Sequence, residues 1–448
     1  MTKQNDLLNL LLYASNQELE QQIPYIYPSD LLDVINDDNL EEEIIYKIIN
    51  RLPNDMIGQL LDEEEQEDKY ELLLRVQQNR HSAVLEEMSS DELVDMFETI
   101  EDKSIVDDLM AALTQENKSD VELLMTYEPD TAGGIMATEF INLYDNKKVQ
   151  QVLEYLQEIK DQVESQYALY VTDKQNTLKG VVSLSDIATT EFSVPISDIM
   201  NPNVISVHYD MDQEDVAKVF DKYNLPVIPV IDDDNHILGI VTFDDIIEVI
   251  TQEATADIHQ LAGIDADEDA DSSVKETVRS RIPWLIINLL TATVSSSIVA
   301  YFSSTIAQVV ALAALMPIVT GMGGNVGSQT YTFTIRSLAT GKLDKSNERL
   351  VFNREMKAAF INGIIISILA FFLGTFIGQD LQIGIIVGAS MLLSMLFAAA
   401  LGYLIPSVLN KMDIDPAIAS SVLVTTLTDS FGFLVFLGLS TTFMEYLL

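Results

Sequence analysis

Apolar positions follow three rhythms along the chain. Through residues 3 to about 128 they recur every three or four residues, as in DELVDMFETI (91–100) and KSDVELLMTYEP (118–129). That spacing puts apolar side chains on one helix face. The region is expected to be all helical, with Ser90 and Ser119 as N-caps. Its charge run LDEEEQEDKYE (61–71) reads as a solvated helix face.

From about 132 to 258 short apolar runs replace this rhythm. Residues 180–184 read as a strand, with Asp186 opening a helix, and 239–243 with Asp245 read the same way. GGIMATEFINLY and SDIMNPNVISVH form a second matched pair, through Met136 and Met200. Gly180 and Gly239 are 59 residues apart and the two methionines 64, so two independent matches share nearly one period. A tandem repeat of a small β–α unit is expected.

Beyond residue 283 the apolar runs become continuous: 284–302, 306–335, 358–378, 381–410 and 416–444, the last broken only by Asp429. Each approaches or exceeds the roughly 20 residues that carry a helix across a bilayer. The expected order is an all-α N-terminal domain (1–130), tandem α/β modules (131–258), a connecting helix and linker (259–282) and a five-helix membrane domain (283–448).

Charge divides the chain in the same way. The formal net charge is −45, yet residues 283–448 hold eight acids and seven bases. Nearly all the negative charge therefore lies before residue 283, which argues against nucleic acid as a partner. No cysteine occurs, which excludes disulfide and thiolate chemistry. The start, MTKQNDLLNL, lacks the basic flank and apolar core of a secretory signal. Arg279 and Arg281 precede the first span, six bases separate the second from the third, and Lys411 separates the fourth from the fifth. By the excess of bases on the inner side, the N-terminal half is expected in the cytoplasm of a cell with the protein in its plasma membrane, and the C-terminus outside.

The duplicated G-h-h-[ST]-x-x-D pattern (h apolar) resembles paired CBS domains. That resemblance implies an adenine nucleotide, ATP for instance, between the repeats, with Asp186 or Asp245 at the ribose. Helix capping by either residue stays open. The complete order, with YEPDTAGGIM (127–136), EATADIHQL (253–261), MPIVTGMGGNVGSQT (316–330) and DPAIASSVLVTTLTDSFGF (415–433), resembles the MgtE family of magnesium channels. The resemblance implies a homodimer that passes Mg²⁺ down its gradient between the second and fifth spans. It further implies closure by cytoplasmic Mg²⁺ at Asp91 and Asp95, Glu214, Asp415, and Asp245, Glu248, Glu253 and Asp257 of the connecting helix. Thr255 and Ala256 depart from acids expected beside Asp257. Asn224 departs from another, where Asp221 could substitute.

The residues supply chemistry of their own for this. Mg²⁺ takes hard oxygen ligands and sheds water reluctantly, and the membrane half holds no His or Cys. Asp429 is a carboxylate with no base inside any span to pair with it, and an intramembrane charge costs on the order of 3 kcal/mol. A cation near a two-fold axis, met by two copies of Asp429, would offset that cost; a protonated side chain is the alternative. Thr425 lies one helical turn before Asp429. Asn325, amid Gly321, Gly323, Gly324 and Gly327, is a second pore candidate, although Gly323-x-x-x-Gly327 also suits close helix packing. Other divalent cations could share the route. A proton-coupled divalent cation transporter regulated by nucleotide is the competing reading. No nucleophile–base pair or phosphate loop suggests an enzyme.

Overall fold

The computed structural model describes residues 2–37, 40–159, 168–264, 268, 273–412 and 414–444. These form two compact units, 1–251 and 252–448.

In the first unit, short helices run from Thr2–Tyr13 to Gln115–Leu124, with no strand before Asn142 among the described residues. Their apolar stripes meet in one core that includes Leu31, Ile48, Ile57, Leu60, Leu73, Leu93 and Phe97. The same core takes in Met136, Val207, Phe220, Ile228 and Val241 of the following modules, so the helical region packs onto the second repeat. Both expected caps move. The helix Ser90–Thr99 has Ser89 at its N-cap, and Gln115–Leu124 is capped by Thr114, whose hydroxyl accepts from Asn117 N. Ser90 instead hydrogen-bonds Thr138 at 2.8 Å and donates to Glu139 at 3.0 Å. Tertiary partners outcompeted a local cap.

The acidic run is also different from expectation. It spans the end of the helix Asn54–Asp62, a turn, and the start of the helix Lys69–Leu74. Glu64 and Lys69 are buried. Glu64 accepts both bonds from the Asn36 amide at 3.1 and 3.2 Å. The run is a junction with several charges turned inward, not one wet face.

Two three-stranded sheets follow, β1 (Asn142–Tyr144), β2 (Ala168–Thr172) and β3 (Leu178–Ser183), then β4 (Val207–His208), β5 (Val227–Ile231) and β6 (Ile237–Thr242). In each, the first strand runs parallel to the second across a helical crossover, Val149–Ile159 or Gln213–Tyr223, and the third is antiparallel. The repeats exchange their leading segments. Ala137, before β1, bridges Ile240 on β6, and Asn201, before β4, bridges Val181 on β3. Each repeat glycine sits beneath the other repeat's methionine: a Cβ on Gly239 would lie 2.8 Å from Met136 Sδ, and one on Gly180 2.9 Å from Met200 Sδ. Asn224 ends its helix in the left-handed conformation (φ 51°), donating from its N–H to Phe220 O. Asparagine tolerates that geometry best after glycine, which accounts for it where an acid was expected.

β6 leads into the helix Phe243–Ala262, which carries the chain from the first unit into the second. Five long helices then follow: Val274–Tyr301, Ala311–Ala339, Glu348–Gly378, Leu381–Lys411 and Pro416–Thr442. Four are long and apolar enough to cross a membrane. The 29-residue Ala311–Ala339 is not among them, because glycines, threonines, Asn325, Ser328 and Gln329 interrupt its leucines. Before the first of these helices, Glu268 accepts from Arg281 Nε at 2.8 and 3.1 Å and from Ser280 Oγ at 3.0 Å.

Candidate functional site

The structure gathers some of the expected site residues and separates others. Asp91 and Asp95 occupy successive turns of the helix Ser90–Thr99. Asp245 sits in the first turn of the helix Phe243–Ala262 and accepts from Thr242 Oγ1 at 2.6 Å and Thr242 N at 3.1 Å. Asp91 and Asp245 act on one another electrostatically, as do Asp95 and Glu248. Three acids that sequence reasoning missed join them: Asp62, Glu92 and Glu139.

Burial dominates the electrostatics of this cluster. Desolvation, reinforced by the Asp91 charge, pushes Asp62, Asp95 and Asp245 up to about 7. Desolvation and then Glu139 raise Asp91 to about 6. Glu139 and Glu92 are raised by burial too, with Lys69 opposing the rise at Glu92. Lys69 pairs with Glu92 at 2.6 Å. Asp91 Oδ1 is buried and accepts no hydrogen bond. Mutual repulsion among desolvated carboxylates is relieved by protons or by cations, and all these donors are the hard oxygens that suit Mg²⁺. Among the described residues no three acids or histidines converge closely enough to cage a bare ion.

The remaining regulatory candidates lie elsewhere. Glu214 is at the start of the helix Gln213–Tyr223 and pairs with Lys218 at 3.2 Å. Glu253 and Asp257 are half-buried further along the helix Phe243–Ala262. Asp415 is exposed just before the fifth long helix. Asp186 and Asp245 are not N-caps. Each is the third residue after Ser183 or Thr242, and the Ser183–Asp186 pair makes a complete capping box. Asp186 remains exposed, whereas Asp245 is turned into the acidic cluster.

In the second unit Asp429 is half-buried on the fifth long helix, and Asn325 and Thr425 are exposed on the second and fifth. The Asp429 carboxylate faces Gly324, where a Cβ would lie 3.9 Å from Oδ1. Gly327 packs tightly instead: a Cβ there would meet Val424 Cγ1 at 2.9 Å and Thr428 Cγ2 at 3.3 Å. The close-packing reading of the glycine-rich segment therefore holds at Gly327, while Gly324 lies open beside the carboxylate. Ser328 and Gln329 are exposed beside Asn325 and were not anticipated. Their polar side chains within an otherwise apolar helix were the available signal.

The chain matches the MgtE intracellular N domain over 26–130, the CBS domain over 132–191 and 196–252, and MgtE, a divalent cation transporter family, over 316–439. It is 34% identical to magnesium transporter MgtE of Thermus thermophilus, with 96% of each chain covered. It is 31% identical to magnesium transporter MgtE of Bacillus subtilis, over 98% of this chain and 97% of that one. Among solved structures, the cytosolic domain of the Mg²⁺ channel MgtE in complex with ATP superposes with a TM-score of 0.51 at 33% identity, covering 55% of this chain and 99% of that one. The soluble part of a magnesium transporter gives 0.53 at 34%, covering 56% and 99%. These near-full-length relatives bear the names of transporters, not of enzymes. With its N domain, CBS pair and apolar helices in that order and near-complete alignment to two magnesium transporters, the chain belongs to the MgtE family of magnesium transporters.

Proposed function

We propose that the protein is a Mg²⁺ channel that works as a homodimer and is closed by cytoplasmic Mg²⁺. The observation that carries the pore is the half-buried Asp429, set against Gly324 in a helix with no other charge from 416 to 444. A glycine opposite the carboxylate leaves room for water, so a cation can approach without shedding its whole shell. Two copies across a two-fold axis give a doubly negative station. The exposed Asn325, Thr425, Ser328 and Gln329 supply neutral oxygens along the same two helices. Neutral oxygens beside few carboxylates suit an ion that binds through its waters, and other hard divalent ions would follow the same path. The N-terminal unit then lies in the cytoplasm and the C-terminus outside, as the distribution of bases requires.

The gate follows from the acidic cluster. Cytoplasmic Mg²⁺ relieves repulsion among Asp62, Asp91, Asp95, Asp245 and Glu248 and favours the helical region docked on the second CBS repeat. An ion can shift that equilibrium only by its greater affinity for one state. Glu253 and Asp257 on the connecting helix, with Asp415 and Glu214, are further contacts in this reading. A nucleotide such as ATP would use Asp186, which stays exposed while Asp245 is committed to the cluster.

The direct test is Mg²⁺ uptake into liposomes driven by voltage at fixed pH. The Asp429→Asn variant is expected to dimerise and to lose uptake by at least tenfold. Retained uptake would remove the pore assignment, and uptake driven by a proton gradient in place of voltage would favour coupled transport.

A further inference from the structure

The first long helix, Val274–Tyr301, is exposed along most of its length. Among its described residues a single one is buried, Ser295, at 8% exposure. Its hydroxyl meets the hydroxyl of Ser430, on the fifth long helix, at 3.0 Å, and either can donate. Neighbouring hydroxyls behave differently. Thr293 and Ser297 donate to carbonyls of their own helix, Leu289 O and Thr293 O, each at 2.8 Å. On the fifth helix Thr426 donates to Val422 O at 2.6 Å and Ser440 to Phe436 O at 2.8 Å. Such back-bonding to the preceding turn is a common outcome for a helical serine or threonine. Ser295 and Ser430 instead cross between helices.

Ser430 directly follows Asp429, and the next two residues also have neighbours. Phe431 stacks on Phe397 of the fourth long helix, with ring centroids 3.7 Å apart. Gly432 lies against Thr320 of the second, where a Cβ would be 3.2 Å from Cγ2. Stacked rings and a glycine contact tolerate small sliding, whereas a hydrogen bond is directional. We propose that Ser295 and Ser430 are positioning residues for Asp429: their bond fixes the rotation of the turn 429–432 and keeps the carboxylate facing Gly324. This rests on the pore reading of Asp429 given above. Successive residues of a helix lie about 100° apart around its axis, so a hydroxyl held on one side sets the direction of the residue before it. Without Ser295, the Ser430 hydroxyl turns back to its own helix, as its neighbours do. The turn can then rotate, and the carboxylate meets Mg²⁺ less favourably. The first span thereby gains a part in ion binding without touching the ion.

The fold supplies a control. Thr305, on the short helix Ser303–Gln308, meets Thr441 of the fifth helix at 2.7 Å, the same kind of bond well away from Asp429. The test measures Mg²⁺ uptake into liposomes at fixed voltage and pH, over a range of Mg²⁺ concentrations. It compares full-length wild type, S295A, S430A, S295A/S430A and T305A, and follows the unfolding temperature of each in detergent. S295A and S430A are each expected to raise the half-saturating Mg²⁺ concentration severalfold. The double variant should be no worse than either single one, because one link is broken in all three. T305A should keep the wild-type half-saturating concentration. An unchanged value in S295A and S430A overturns the inference. So does an equal rise in T305A, or additive rises in the double variant, since the pair would then be ordinary packing. An Asp429→Asn variant that conducts like wild type overturns the pore reading itself, and is measured before the serine variants are compared.

Discussion

Gly324 and Gly327 lie within one turn of the same helix, yet the structure gives them opposite work. At Gly327 the neighbouring helices come so close that a side chain has no place: Val424 occupies the space, and a Cβ on Gly402 would lie 2.6 Å from the Gly327 carbonyl oxygen. At Gly324 a Cβ would find room, with the Asp429 carboxylate as its neighbour. Gly327→Val should therefore overpack the helix junction and cost about 1–3 kcal/mol, seen as a lower denaturation temperature in detergent. Gly324→Ala should leave that temperature unchanged or slightly higher, since alanine is the better helix former. It should cut Mg²⁺ uptake severalfold by placing a methyl where hydrating water would stand. If Gly324→Ala conducts normally, the space beside the carboxylate is not part of the ion path. In the sequence GMGGNVG suited either close packing or the lining of an ion path. The sequence could not assign the glycines, because that depends on which helix faces each one.

The exchange of leading segments between the CBS repeats is the element that ties the first unit together. It was legible as two apparently separate duplications, the glycine pair and the methionine pair. In the fold they are one contact made twice. Gly239 is the tighter case, since a Cβ there would also lie 2.6 Å from the Ala137 carbonyl oxygen, which accepts from Ile240 N. Gly239→Ala is expected to break that bridge and destabilise the first unit by about 1–3 kcal/mol. Thermal unfolding of the full-length protein in detergent, followed through the circular dichroism of its cooperative transition, checks it. An unshifted transition would mean the leading segment is held elsewhere. The repeats and the apolar helices were readable because each rests on local periodicity. The inward turn of Asp62, Glu64 and Lys69 was not. A run of charges carries no period that says which members face the core, and only the packing of Ser90–Thr99 against this junction decides it.

For the whole molecule, the buried part of the acidity of the first 282 residues sets a pH dependence. Asp62, Asp95 and Asp245 sit at about 7 and Asp91 at about 6, against about 3.9 for an aspartate in an unfolded chain. Between those values the docked fold binds more protons than the open or unfolded chain, so its stability falls as pH rises. The loss begins above about pH 4, is steepest up to about pH 7, and continues beyond it because burial raises Glu92 to about 9. In the proposed gate protons and Mg²⁺ relieve the same repulsion at the same oxygens, so each makes the other less necessary. In chelator, protease protection of the docked helical region should therefore decline from pH 6 to pH 8. Mg²⁺ should restore it at pH 8 and add little at pH 6. The concentration of Mg²⁺ that half-restores protection should fall with rising pH at the carboxylates themselves, because fewer protons compete for them. Asp62→Asn with Asp245→Asn should flatten the decline, since two of the groups that lose protons are gone. Protection that instead rises with pH in chelator would mean that the buried acids are ionised and already compensated in the docked fold. The Mg²⁺ response would then have to come from Glu253, Asp257 and Asp415, outside this cluster.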